Sequence, residues 1–226
     1  MSWFDCYWVV SGPASSVREV YDAFYDFLHF RITVNFTVAD VVGKLGLDAK
    51  DCPYAVVMDA SYQMTADVLR FQTFGAVPVE GIEAIMKAFP GLVVRYYAEC
   101  SEEGVFQTND REESSFSVKV AVVCSDMQDG NRVEYFNSDI GCLMFLEDRY
   151  GLRYGSLDEA VEKIEDDLLK LEEKPYARIY KVEVVDTLRQ DGFPVSSPKN
   201  VEEPRREGLP RSFMKRLLLR LFHRCV

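Results

Sequence analysis

Few residues in this chain have both the type and the spacing for chemistry. It carries two histidines, His29 and His223. A Ser-His-Asp triad or a histidine-based metal site would have to be built on one of them. Six cysteines stand at positions 6, 52, 100, 124, 142 and 225. None belongs to a Cys-x-x-Cys pair or shows zinc spacing, so they read as reduced and mostly buried thiols. Gly43-Lys44-Leu45-Gly46 lacks the glycine-rich loop that a phosphate cradle needs. No metal and no cofactor is expected.

The acidic pairs Glu102-Glu103 and Glu112-Glu113 fall in turns, and Glu165-Asp166-Asp167 falls on the polar face of a helix. Acid–base work needs two carboxylates in different environments facing one substrate, and sequence neighbours rarely converge that way. These clusters read as solvated surface. Glu99 is better placed because it ends an apolar strand, but one carboxylate is not a mechanism. His29 stands at the end of a helix, where an imidazolium meets the negative end of the dipole. A hydrolase using Glu99 and His29 is the weakest functional reading.

The elements that would position these residues form an α+β pattern. Trp3–Val10 is aromatic and β-branched and stops at Ser11-Gly12-Pro13, a strand and a turn. Ser16 and Glu19 are spaced as a capping box, and Val17, Val20, Tyr21, Phe24 and Leu28 follow at helical spacing, which predicts a helix over 17–28. Thr37 caps a short helix through Leu45, ended by Gly46. Tyr54–Asp59 and Val68–Phe74 read as strands. Pro78 precedes a helix with Ile82, Ile85, Met86 and Phe89 on one face, closed by Pro90-Gly91, and Leu92–Ala98 is the next strand. This β-α-β-β-α-β order is the split-βαβ, ferredoxin-like arrangement: an antiparallel sheet with helices on one face.

Further sheet is expected after it. Val105–Thr108 returns antiparallel. Phe116, Val118, Val120, Val122 and Cys124 alternate at period 2, and Asp129-Gly130-Asn131 turns the chain into Arg132–Phe136. Ser156 and Glu159 make a second capping box ahead of a helix from Leu157 to Leu171, and Tyr176–Val185 is a final strand. This ββαβ segment is expected to extend the first sheet or to pack against it.

Several blocks resemble the YubB-like ferredoxin-like family. They are the opening strand with Val10-Ser11-Gly12-Pro13, Leu69-Arg70-Phe71-Gln72-Thr73-Phe74, Val77-Pro78 and Ala88-Phe89-Pro90-Gly91-Leu92. Tyr96-Tyr97-Ala98-Glu99 and Glu103-Gly104-Val105-Phe106 continue the register. The resemblance covers roughly residues 1–125. It implies a ferredoxin-like fold and an origin among plasmid- and phage-carried proteins whose biochemical role is not established. Where family members tend to carry tryptophans, this chain has Asp59-Ala60-Ser61-Tyr62-Gln63-Met64 and Phe74. A site built on those tryptophans is not expected here.

The charge is divided unevenly. Of a net −11, residues 187–226 contribute nine basic and four acidic side chains, +5, which leaves −16 on residues 1–186. An acidic body repels phosphate backbones and is a poor nucleic-acid platform. Tyr96, Tyr97, Phe71 and Phe106 raise the thought of an RNA-recognition sheet, but the octapeptide signature of that fold is missing, and these aromatics read as core. No secretory signal is read at the start, since Asp5 interrupts the apolar run, and no apolar stretch reaches the ~18 residues of a membrane span. A cytoplasmic protein is expected.

The organisation expected is therefore a domain over 1–186, a Pro/Gly/Ser-rich linker over 187–210 and a basic amphipathic tail over 211–226. On a helical wheel Phe213, Met214, Leu217, Leu218, Leu221 and Phe222 share one half, and Arg216, Arg220, His223 and Arg224 the other, with Lys215 and Leu219 as exceptions. Phe213, Met214, Lys215, Arg216, Leu217, Leu218, Arg220, Leu221, Phe222 and Arg224 are the candidate binding residues. The tail could fold on its own body or a second copy, dock in the groove of a protein partner, or lie on an anionic membrane surface at the inner face. The leading expectation is a non-catalytic accessory protein of a mobile element that binds a protein partner, with inhibition of a host defence as one form of it. The alternative is a peripheral membrane protein held by the tail.

Overall fold

The computed structural model describes residues 3–30, 36–126, 130–173 and 175–185. The linker over 187–210 and the tail over 211–226, with all its candidate binding residues, lie outside the described residues. Those described form a mixed α+β structure with five helices and mostly antiparallel strands.

The first layer of strands is β1 (Phe4–Ser11), β2 (Ala55–Gln63), β3 (Val68–Gly75), β4 (Val93–Cys100) and β5 (Val105–Thr108). They pair antiparallel in the order β2-β3-β1-β4-β5. One face of this sheet carries Cys6, Trp8, Val10, Leu69, Phe71 and Tyr96, all buried. Three helices supply the apolar side chains of the same core: α1 (Ala14–Phe30), α2 (Val38–Lys44) and α3 (Val79–Ala88). Trp8 stacks on Phe71 at 5.7 Å and Phe24 of α1 lies 4.7 Å from the same ring. The indole N–H of Trp8 donates to Thr73 Oγ1 at 3.0 Å, so this large ring is buried with its one polar atom satisfied.

The ends of α1 and α2 are made differently. Thr37 caps α2 as expected: its hydroxyl accepts from Asp40 N–H at 3.3 Å, and Asp40 accepts from Thr37 N–H at 2.8 Å. The capping box expected at Ser16 and Glu19 does not form. The helix already runs from Ala14, so Ser16 lies inside it. Pro13 presets the backbone for a helix start, and its carbonyl accepts from Val17 N–H at 3.0 Å.

In the second part of the chain, β6 (Val120–Asp126), β7 (Gly130–Phe136) and β8 (Ala177–Lys181) form a sheet of their own in the order β7-β6-β8, so of the two expected arrangements they pack against the first sheet rather than extend it. The expected final strand is two strands. One residue after β8, at Val182, the chain crosses to the first sheet, where β9 (Glu183–Val184) pairs parallel with β5. The alternation from Phe116 becomes strand only at Val120, because Asp110 takes up the backbone N–H groups of Ser115 and Phe116 and holds that stretch as a loop. A helix absent from the sequence reading, α4 (Asp139–Tyr150), precedes α5 (Leu157–Leu168). Val120, Val122 and Cys124 of β6 pack with Cys142, Leu146, Ala160 and Ile164 of these helices as a second core.

Candidate functional site

In β1 and β4 the residues alternate with those of the helix-covered core: Asp5, Tyr7, Tyr97 and Glu99 point away from it. Register places Asp5 opposite Glu99 and Tyr7 opposite both Tyr97 and Gln72. Side chains directly opposite on an antiparallel pair are in reach of one another. A strand buried on one face would leave this set in water. Here it is closed in: Tyr7, Gln72, Tyr97 and Glu99 are all buried.

The second sheet meets this face over β4 and β5. Tyr135 of β7 donates its hydroxyl to the Glu99 carboxylate, 2.7 Å from Oε1 and 2.8 Å from Oε2. Tyr97 O–H donates to Oε2 at 3.1 Å. The rings of Tyr97 and Tyr135 meet edge to face at 6.3 Å. Further along, Tyr180 of β8 packs on Phe106 at 5.1 Å and lies over Gly104, where any Cβ would run into its ring. Gly104 also has φ +69°, so glycine is required there twice over.

Glu99 is 7% exposed. Burial pushes its carboxyl up from the ordinary glutamate range to about 7; hydrogen bonds from Tyr135 and Tyr97 pull it down, and the Asp5 charge pushes it further up. Asp5 is also raised, by burial, against a bond from Gln72 Nε2 at 3.4 Å. Burial raises the Tyr7, Tyr97 and Tyr135 hydroxyls well above the usual tyrosine range, and the Glu99 charge adds to it. They remain donors at any working pH. The Tyr7 hydroxyl is buried without a partner.

A second carboxylate organises the approach. Asp110 accepts from Phe116 N–H at 2.9 Å and from Ser114 Oγ at 3.1 Å, and Arg95 Nε lies 3.1 Å from it. Burial alone would raise its carboxyl, but the backbone N–H bonds of Phe116 and Ser115 outweigh it and leave it lowered. The loop so held brings the Phe116 ring to 6.2 Å from Tyr97. Beside it opens a cleft of about 290 Å³ lined by Thr108, Asp110, Phe116, Val120, Lys181 and Val184 among others; Glu99 is not part of its wall.

The residues singled out by sequence are not brought together. His29 is exposed at the end of α1, its Nδ1–H donating to the Tyr25 carbonyl at 3.1 Å and its ring stacked on Tyr25. It belongs to the helix-covered side, and Glu99 to the other. Glu112 pairs with Arg95, Glu113 with Lys119 and Glu165 with Arg178. Of the four aromatics considered for base stacking, Phe71 and Tyr96 lie in the helix-covered core, and Tyr97 and Phe106 lie against the second sheet. Among the described residues no group of three or more histidine, cysteine or acidic side chains could hold a metal ion, and no helix is long and apolar enough to cross a membrane.

Sequence reasoning reached Glu99 but missed its partners. The signal was an acid inside an apolar strand, Asp5, and the i, i+2 pair Tyr97 and Glu99, which must share a face. Nothing local pointed to Tyr135, which is 36 residues away and on the other sheet. No protein-family model, curated protein or solved structure matches the chain.

Proposed function

We propose that the protein is a non-catalytic, protein-binding module of ferredoxin-like class, of the accessory kind carried by plasmids and phages. The order β1-α1-β2-β3-α3-β4, with strands arranged β2-β3-β1-β4, supports the class. The blocks that resemble the YubB-like family support the setting. A buried Glu99 held by tyrosine hydroxyls and set apart from the neighbouring cleft favours a structural role for the most perturbed carboxylate.

The observation that carries the binding reading is on the second layer. Ile140 and Met144, one helical turn apart on α4, are 70% and 59% exposed. Glu147, paired with Arg153, and then Asp148 and Arg149 follow on the same helix. Adjacent exposed apolar side chains suit a partner with an apolar ridge. An Ile140→Glu/Met144→Glu double variant, folded as judged by circular dichroism, should lose at least tenfold in affinity for the partner the wild type captures. Equal capture by both chains sinks the reading.

A second reading rests on the +5 segment and its apolar row. Residues 211–226 would adsorb in the plane of an anionic membrane. Flotation with phosphatidylserine vesicles at low salt tests it, against a chain ending at Asp186.

A further inference from the structure

The second sheet is tied to the first unequally at its two edges. At the β8 edge only Val182 separates β8 from β9, which is itself a strand of the first sheet. Tyr180 packs on Phe106 at that same edge. Among the described residues the other edge, β7, pairs with β6 alone, and no ladder hydrogen bonds tie it to the first sheet. There the Tyr135 hydroxyl on Glu99 supplies the polar tie. One edge is built as a hinge and the other is pinned by a carboxyl.

The surroundings of that carboxyl leave a charge on it poorly compensated. From β1 it faces Asp5 and Tyr7; from β4, Tyr97; from β7, Tyr135. From β3 comes Gln72, which donates to Asp5, and from β5 the uncharged Phe106. Phe116 from the 109–119 loop closes on Tyr97. The Arg95 guanidinium of β4 is engaged by Asp110 and Glu112. Among the described residues no lysine, arginine or histidine pairs with Asp5 or Glu99.

We propose that Asp5, Glu99 and Tyr135 form a proton-operated latch: a proton on the carboxyl pair keeps the β7 edge closed on the first sheet, and its loss lets that edge lift about the β8–β9 crossing. Lifting the edge returns Glu99 to water and restores its ordinary proton affinity. The closed form keeps the proton up to about pH 7, whereas a hydrated glutamate gives it up near 4.5. Closure is therefore fully favoured below about 4.5 and weakens as pH rises through 7. Across that window the opening constant grows by up to ~300-fold, the factor that a shift of this size implies.

The test uses the full chain. Carbon-13 NMR follows the Glu99 side-chain carboxyl from pH 5 to 9, while relaxation dispersion on the rings of Tyr97, Tyr135 and Tyr180 reads opening. Glu99 should titrate near neutrality. Exchange at Tyr97 and Tyr135 should grow tenfold or more with the same midpoint, and Tyr180, at the hinge, should stay unchanged. Glu99→Gln should abolish the pH dependence. Tyr135→Phe removes the pin, so it should open the edge already at pH 5 and let Glu99 titrate in the ordinary carboxylate range, whereas Asp5→Asn should lower the midpoint with the edge still closed at pH 5. A wild-type Glu99 midpoint in the ordinary carboxylate range overturns the latch. So does exchange that grows equally at Tyr180, or a pH dependence that persists in Glu99→Gln.

Discussion

Around β1 and β4 the two faces of the first sheet are both removed from water, but by different means. On the helix-covered face Trp8, Leu69, Phe71 and Tyr96 pack against Val17, Val20 and Phe24 of α1. Within it the Trp8 indole N–H donates to Thr73. On the other face, one residue along the same strands, Asp5, Tyr7, Gln72, Tyr97 and Glu99 meet one another, with Tyr135 bonding to Glu99 from the second sheet. Apolar packing is indifferent to pH, whereas a buried carboxyl is stable only in the protonation state its neighbours allow. The same ladder thus carries a face that fixes the fold and a face whose strength depends on the solution.

The largest test of that contrast is Trp8→Ala. Removing an indole packed on Phe71 and Tyr96 leaves a cavity and strands the Thr73 hydroxyl. The expected loss is about 3–5 kcal/mol in urea unfolding, the same at pH 5 and pH 8. A strong pH dependence of that loss would break the distinction between the faces. Next in size is Glu99→Gln. The folded carboxyl is raised to about 7 from the ordinary glutamate value of 4.5. Its contribution is present in full below the unfolded value and is lost as pH rises through 7. Wild type should lose about 3 kcal/mol relative to the variant between pH 4 and pH 9. Parallel stability curves for the two proteins would show that Glu99 titrates in the fold as it does in the unfolded chain.

Asp110 supplies the opposite sign at the rim of the same joint. Its carboxyl is lowered, so its contribution is present above the unfolded value and disappears as pH falls through the folded one. Asp110→Asn keeps the shape but turns a donor towards Arg95 Nε or the backbone N–H groups of Ser115 and Phe116. The expected cost is about 2 kcal/mol at pH 7, vanishing in strong acid, with the Phe116 ring displaced from Tyr97 in NMR spectra. A cost that survives into strong acid would assign Asp110 a steric role only.

Sequence patterning reached the helix-covered face well. Val17, Val20, Phe24, Ile82 and Ile85 recur at helical spacing, and these are the side chains that the structure buries. It reached the other face badly, for a physical reason. A polar residue in a strand is normally a solvent-facing residue, and only a second layer reverses that meaning. Tyr135 lies in that layer, and neither its spacing nor its neighbours encode the Glu99 contact. α4 escaped for a related reason: Ile140 and Met144 point outward, so its apolar residues do not trace one stripe. The sequence reading also passed over its ends, where Ser138 caps through Gly141 N–H and Gly151 takes a left-handed φ of 69°. The crossing at Val182 was hidden inside what reads as one strand, Tyr176–Val185, because β propensity does not say which sheet a strand joins.

The smallest expected effect falls where local sequence and structure agree. Thr37 and Asp40 exchange hydrogen bonds across the first turn of α2, and Thr37 also bridges to Val56 of β2. Thr37→Ala removes the hydroxyl acceptor for Asp40 N–H but leaves the Asp40 carboxylate on the residue 37 N–H, and the backbone bridge does not need the side chain. The expected cost is about 1 kcal/mol, without pH dependence between 6 and 9, read by urea unfolding. Thr37→Ser should recover most of it, because the cap needs an oxygen and not the methyl. Helix α2 packs on α3 within the helix-covered core, far from the carboxyls, so the variant should leave the Glu99 midpoint where it stands. A moved midpoint would mean that the two faces of the sheet are coupled through its strands. The contrast between them would then have to be redrawn as one network.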